Sequence, residues 1–210
     1  MRSPLSYFKV QLLISWLIRG NPLFLDRSKL GKVKLLNIGC GAHPKENYVN
    51  LDYHWLPGVD LCWDLTRGRL PLPDASMDGA FSEHCIDCIP VQYFKRTIAD
   101  LHRVLKPGGV FRLVLPDGAL YLDLYQKRKT DKSVVFPYGE KEATGMISVN
   151  RYARDHGHRY SYDFETIELF LREAGYSRIT LCRMGEGAVP ELQIDQQERA
   201  GESFVVEAVK

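Results

Sequence analysis

The segment Leu36-Asn37-Ile38-Gly39-Cys40-Gly41 constrains this chain more than any other. A short apolar run, Lys34 to Ile38, reads as a strand and ends on two glycines, where the backbone turns sharply and leaves room for a ligand. The next alternating run, Tyr48 to Asp52, begins after only Ala42 to Asn47. Six residues rise about 9 Å as helix, under two turns. A dinucleotide needs its pyrophosphate at the N-terminus of a following helix, and Pro44 stands where the third glycine of such a site belongs. The pattern therefore disfavours a nicotinamide-dependent oxidoreductase. The crossover of nine residues, Gly39 to Asn47, is also shorter than the dozen or so that parallel strands normally take.

Further strands are expected at Asp60 to Leu65, Met77 to Ser82 and Val110 to Leu115, the last behind the turn signal Lys106-Pro107-Gly108-Gly109. Val91 to Leu105 carries Tyr93, Ile98, Leu101, Val104 and Leu105 on one face, and Tyr162 to Ala174 ends at Gly175, a C-cap residue; both read as helices. Arg178 to Arg183 and Ser203 to Val209 are two late strands separated by a polar, acidic loop, Gly185 to Glu202. The expected class is α/β: a Rossmann-like seven-stranded mixed sheet, mostly parallel, with an antiparallel C-terminal hairpin and helices on both faces.

A chain of 210 residues with 45% apolar positions supports one core. Its formal charge of +2, without blocks of like charge, argues against a nucleic-acid partner. Five cysteines, an odd number, fit free thiols and a cytoplasmic setting. Val10 to Ile18 is nearly all apolar but too short to span a bilayer. With Leu5, Phe8, Leu12, Leu13, Trp16 and Leu17 at helical spacing, residues 1–30 read as an amphipathic helical extension. It either packs on its own domain or contacts a membrane surface through residues 4–20, because Arg2, Lys9, Arg19, Arg27, Lys29, Lys32 and Lys34 make this end basic.

S-adenosyl-L-methionine carries no phosphate and suits the short turn better than a dinucleotide does. Asn37, Gly39, Cys40 and Gly41 are expected to present polar groups to its amino-acid end. Asp52, ending the second strand, is placed to accept from the ribose hydroxyls. Asp64 is a candidate for the adenine amino group, with Leu65 or Trp63 over a ring face, and Ser82 follows the fourth strand.

These residues lie within motifs that resemble the class I S-adenosylmethionine-dependent methyltransferases, in particular a group of small type 11 enzymes often found with polysaccharide-synthesis functions. LNIGCG (36–41), NYVNLD (47–52), LPLPDASMDGAFSEHCID (70–87), LHRVLKPGGVFRLVLPD (101–117), HRYSYDFETIELFLREAGY (158–176) and ESFVVEAVK (202–210) occur in the family's order. The resemblance implies a methyltransferase domain over 31–210, with a substrate-pocket insertion at about 118–161, and O-methylation of a sugar or other small polar acceptor. Two positions depart from the pattern: Asn37 replaces a commonly acidic residue, and Asp87-Cys88 replaces a Glu-His pair. Those departures motivate an alternative, a non-catalytic binding or scaffold protein on the same fold.

Methyl transfer needs alignment, exclusion of water and sometimes a base. His84 is the expected base because an unperturbed imidazole titrates near neutrality. Asp117 follows the fifth strand, and His158 lies in Asn150 to Tyr162, whose His, Arg and Tyr content suits an acceptor pocket. The His156/His158 pair and Cys85-x-x-Cys88 could suggest a metal, but no second ligand pair has structural-zinc spacing and the C-x-x-C follows a strand beside the expected cofactor site, so no metal is expected from the sequence.

Overall fold

The computed structural model describes residues 4–21, 26, 28–137 and 143–210. Its strands are β1 (Leu35–Ile38), β2 (Val49–Asp52), β3 (Leu61–Cys62), β4 (Met77–Glu83), β5 (Leu105–Pro116), β6 (Arg178–Cys182) and β7 (Ser203–Val209). They form one sheet in the order β3-β2-β1-β4-β5-β7-β6. The first five run parallel, and β7 inserts antiparallel between β5 and β6. The expected seven-stranded mixed sheet is present, with the late hairpin turned so that its second strand joins the body of the sheet.

Three expectations change in detail. The third strand shrinks to two residues, so Asp64 and Leu65 fall in the turn beyond it. The Lys106-Pro107-Gly108-Gly109 turn does not precede β5 but lies inside it, where the register with β4 shifts between Met77 and Gly79 and Gly108 takes φ +78°. The helical cover of the two faces is unequal. Helices α2 (Val91–Val104) and α5 (Phe164–Glu173) bury Phe94, Ile98, Leu101, Ile167 and Leu171 against one face. The other face is covered by residues 183–202, whose helical content is single 3-10 turns at Pro190–Leu192 and Gln197–Arg199.

That second cover explains the short crossover. Neighbouring strands lie about 4.8 Å apart, and nine extended residues reach roughly 30 Å, so length is no obstacle; a crossover helix ordinarily serves to cover the sheet. Here Leu192, with Val189 and Ile194 beside it, packs on Tyr48, Phe81 and Val114 instead. The loop's own backbone is held by Asn50, whose Oδ1 accepts from Lys45 N at 2.8 Å and whose Nδ2 donates to Lys45 O at 2.8 Å. Asn37 Nδ2 donates to the same Asn50 Oδ1 at 3.2 Å, so the amide that departs from the acidic pattern binds a partner amide.

Helix α1 (Pro4–Ile18) meets the domain through Ser15, Ile18 and Arg19. Ser15 Oγ accepts from Trp55 N at 2.8 Å, and Arg19 Nε donates to Tyr53 O at 2.8 Å with its guanidinium over the Tyr53 ring. Two arrangements are expected for its apolar residues, and in the structure Leu13, Trp16 and Leu17 face out, 59–64% exposed. The side chains of Leu5, Phe8, Arg2, Lys9 and Arg27 lie outside the described residues. Among those described, no helix is long and apolar enough to cross a membrane. Between β5 and α5, helices α3 (Gly118–Thr130) and α4 (Gly145–Arg154) enclose a small aromatic core, with Tyr121 and Tyr152 stacked at 4.4 Å.

Candidate active site

Parallel strands end together, and the glycine turn stands at that end. Gly39 has φ +71° and lies so close to Cys85 that a Cβ would overlap its Sγ, whereas a Cβ on Gly41 would meet only open space. Gly39 N and Cys40 N both donate to Leu51 O, at 2.8 and 3.2 Å, and Gly41 N donates to Asp52 Oδ2 at 2.8 Å. The other Asp52 oxygen accepts from His54 N at 2.7 Å. Each carboxylate oxygen carries a second lone pair, so Asp52 both shapes the turn and keeps accepting capacity at the end of β2.

A cavity of about 230 Å³ opens beside this turn, lined by Asn37, Gly39, Cys40 and Gly41 on one side and Gln196 and Arg199 on the other. A second, of about 610 Å³, is lined by Arg151, His156, His158, Glu198 and Glu202. His84, Gln196 and Arg199 line both. The two cavities therefore adjoin along these three side chains.

The expected cofactor residues divide between these surroundings. Asn37, Gly39, Cys40 and Gly41 line the smaller cavity, and Asp52 is tied to it through Gly41. Ser82 Oγ is buried without a hydrogen-bond partner near the end of β4. Asp64 is engaged in its own turn, Oδ1 accepting from Thr66 N and Thr66 Oγ1 at 2.9 and 2.7 Å, and Leu65 is part of the main core; neither lines the cavity. The open space over Gly41 and the strand-end carboxylate of Asp52 fit S-adenosylmethionine, whereas Ser82 is fully buried and does not line the cavity.

The expected base behaves differently from a free imidazole. His84 sits at φ +45°, with Nδ1 2.9 Å from Arg199 and Nε2 2.7 Å from Ser203 Oγ. Arg199 has only protons to offer, so Nδ1 accepts and Nε2 carries the hydrogen. Burial, reinforced by the Arg199 charge, pushes the His84 pKa down to about 3. With both ring nitrogens engaged and the pKa lowered, the geometry runs against the expected near-neutral base, and Nδ1 holds Arg199. Unfolding returns the ring toward its ordinary value near 6.5, so between about pH 6.5 and 3 the unfolded chain binds the extra proton and stability falls as pH falls. Denaturant midpoints measured across that range should decline toward acid. His84→Asn, which tolerates a positive φ, should flatten the decline.

Asp117 is the N-cap of α3, accepting from Leu120 N at 3.2 Å, which commits it to the helix end. His158 lines the larger cavity, with Nδ1 2.6 Å from Tyr152 O and Nε2 3.3 Å from Asp87 Oδ2.

Gln196 and Arg199 were not anticipated, because residues 185–202 read as a connector. Their one warning was length: a loop beyond about 12–15 residues without its own secondary structure is usually functional. Glu83 also enters here, its carboxylate accepting from Gln196 N and Nε2 at 3.1 and 3.0 Å.

Residues 45–113 match the family model described as a methyltransferase domain. A phthiotriol/phenolphthiotriol dimycocerosates methyltransferase of Mycobacterium tuberculosis is 32% identical over 107 aligned positions, covering 39% of this chain and 37% of that protein. The chain thus spans well under half the length of the curated relatives it matches. Among solved structures, an S-adenosylmethionine-dependent methyltransferase from Archaeoglobus fulgidus superposes with TM-score 0.54 at 13% identity, covering 99% of this chain and 100% of the other. A possible histamine N-methyltransferase from Thermotoga maritima gives 0.53 at 15%, covering 98% and 96%. The phosphoethanolamine N-methyltransferase 2 of Haemonchus contortus, solved with S-adenosyl-L-methionine, gives 0.50 at 14%, covering 96% and 57%.

Proposed function

We propose that this chain is a class I S-adenosylmethionine-dependent methyltransferase, a reading supported by its fold and by the methyltransferase-domain match over residues 45–113, and that it methylates a hydroxyl of a sugar or other small polar acceptor. The observation that carries the acceptor class is the lining of the larger cavity. Among the described residues it consists of histidine, arginine, glutamate and glutamine side chains with Cys88, with no aliphatic or aromatic hydrocarbon side chain. Such a wall recognises hydroxyls, and Arg151 and Arg199 suit an anionic substituent.

In this reading the smaller cavity takes the cofactor, held by the Gly39–Gly41 backbone and Asp52, with Ser82 beneath. Its sulfonium supplies an activated methyl group when bound. The chain's part is to orient the two partners across the wall of His84, Gln196 and Arg199, and to exclude water with residues 183–202. His158 contacts the acceptor from the far side. The hydroxyl proton, released as the oxygen–methyl bond forms, has Glu198 and Glu202 within the same cavity to receive it. Domain limits follow the same division, with residues 31–210 as the enzyme and 1–30 as an extension. The outward Leu13, Trp16 and Leu17 support a peripheral membrane contact for α1, and five free cysteines support a cytoplasmic setting.

The test is transfer of labelled methyl to a panel of neutral sugars, uronic acids, simple phenols and long-chain alcohols, read by mass spectrometry. Uptake confined to the sugars and uronic acids is the expected outcome. Uptake by the long-chain alcohols alone, or by no acceptor despite bound cofactor, would overturn the acceptor class and, in the second case, favour the scaffold alternative.

A further inference from the structure

Among the described residues, Asp87, Cys88 and His158 are the group in which three potential ligand atoms lie within 4.8 Å of one another. Asp87 and Cys88 belong to the 3-10 turn Ile86–Cys88 that follows β4, and His158 comes from the segment after α4. The Arg159 N to Asp87 O bond, at 3.0 Å, ties the two segments together.

Two independent features mark this group as more than a chance cluster. First, Asp87 is 1% exposed and neither of its carboxylate oxygens has a hydrogen-bond partner. Buried carboxylates are almost always satisfied, because stripping one of water without compensation costs several kcal/mol. Second, His158 Nδ1 lies 2.6 Å from the carbonyl of Tyr152, which can only accept. That bond places a hydrogen on Nδ1, so that in the neutral ring Nε2 carries the lone pair, 3.3 Å from Asp87 Oδ2. A ligating histidine is commonly held this way, by a carbonyl on its other nitrogen. Two acceptors thus face each other, with the Cys88 sulfur alongside.

We propose that Asp87, Cys88 and His158 are a three-ligand site for a zinc-like divalent cation. Two ligands each about 2.05 Å from a tetrahedral zinc stand about 3.3 Å apart, the separation the oxygen and nitrogen already have; the sulfur, within 4.8 Å of both, must close to about 3.6 Å. Mixed sulfur, nitrogen and oxygen ligation suits zinc, and three protein ligands leave a fourth position free. Cys88 and His158 both line the larger cavity, so that position is open to an oxygen of a cavity ligand. Binding releases the Cys88 thiol proton to solvent and involves no change of oxidation state. The site departs from the sequence expectation of no metal because its ligands come from an adjacent pair and a third residue 70 positions away, a spacing that resembles no familiar zinc motif.

The full chain, stripped with a chelator, is titrated with Zn²⁺ against a chromogenic competitor and separately with Co²⁺. One zinc per chain and a thiolate-to-cobalt charge-transfer band are expected. Cys88→Ser should abolish the band, and Cys88→Ser and His158→Gln should each weaken zinc binding by roughly tenfold or more, with circular dichroism confirming that both fold. Absence of saturable binding to the unmodified chain, or equal affinity in both folded variants, would overturn the site and leave a proton shared between Asp87 and His158. No methyl donor enters the assay, so its failure leaves the methyl-transfer reading standing.

Discussion

Arg112→Met is expected to lower the free energy of unfolding by about 3–5 kcal/mol, the range for removing one partner of a buried ion pair. Arg112 is fully buried in the middle of β5, with Nε 2.7 Å from Asp195 Oδ1, NH1 2.9 Å from Glu207 Oε1 and 2.8 Å from Glu186 O. The second Asp195 oxygen accepts from both Arg112 and Gly185 N, and Glu207 Oε2 accepts from Ala188 N at 2.8 Å. The guanidinium thus joins two strands to the long loop that covers the sheet. Its removal leaves two carboxylates in a dry interior, and the loop that brings Gln196 and Arg199 to the site loses its anchor. The loss should appear as a lower denaturant midpoint with an unchanged slope, together with weaker cofactor binding. Neutralising both partners as well, in Arg112→Met with Asp195→Asn and Glu207→Gln, should recover much of the stability. A loss below about 1 kcal/mol in the single variant would mean that the apolar contacts of Leu192 and Ile194 hold the loop without it.

Gly39→Ala is expected to cost at least about 2 kcal/mol and to abolish measurable cofactor binding. Two costs combine: a left-handed φ that an L-residue adopts unwillingly, and overlap of the new methyl with Cys85. They separate in a double-mutant cycle. In a Cys85→Gly background the overlap disappears and only the conformational cost, about 1–2 kcal/mol, remains. Additive losses would place the strain wholly in the backbone. The same substitution at Gly41, where space is open, should be milder in stability and still harmful to binding, because its left-handed φ of +50° carries the N–H that reaches Asp52.

The sheet was readable because its information is local. Helix α2 repeats apolar residues on one face, α5 stops at Gly175 with φ +101°, and the strands are short apolar runs between turns. What escaped is non-local. Arg112 and Asp195 are 83 positions apart, so a polar loop that looks solvated instead covers a sheet face. The depressed His84 pKa depends on burial and on Arg199, neither of which residue type reveals. Asp64 had the right residue type at the right strand end, but β3 stops after Cys62 and leaves it capping its own turn. In α1 the apolar run does form a helix, yet it meets the domain through Ser15, Ile18 and Arg19. Of the candidate site, the glycine turn and Asp52 were legible because their roles are set by backbone conformation and strand ends. The shared wall was not, since it forms only when residues 196–199 fold back on β4.

We propose that the glycine turn and Asp52 hold S-adenosylmethionine. Calorimetric titration of ligand-free protein with S-adenosylmethionine, S-adenosylhomocysteine and NADH, repeated on Asp52→Ala, tests it most directly. Saturable binding of the first two alone is expected, weakened in the variant by about 1–3 kcal/mol for the lost charge-assisted hydrogen bonds. Binding of neither sulfur compound, binding of NADH, or an affinity unchanged in Asp52→Ala would contradict it.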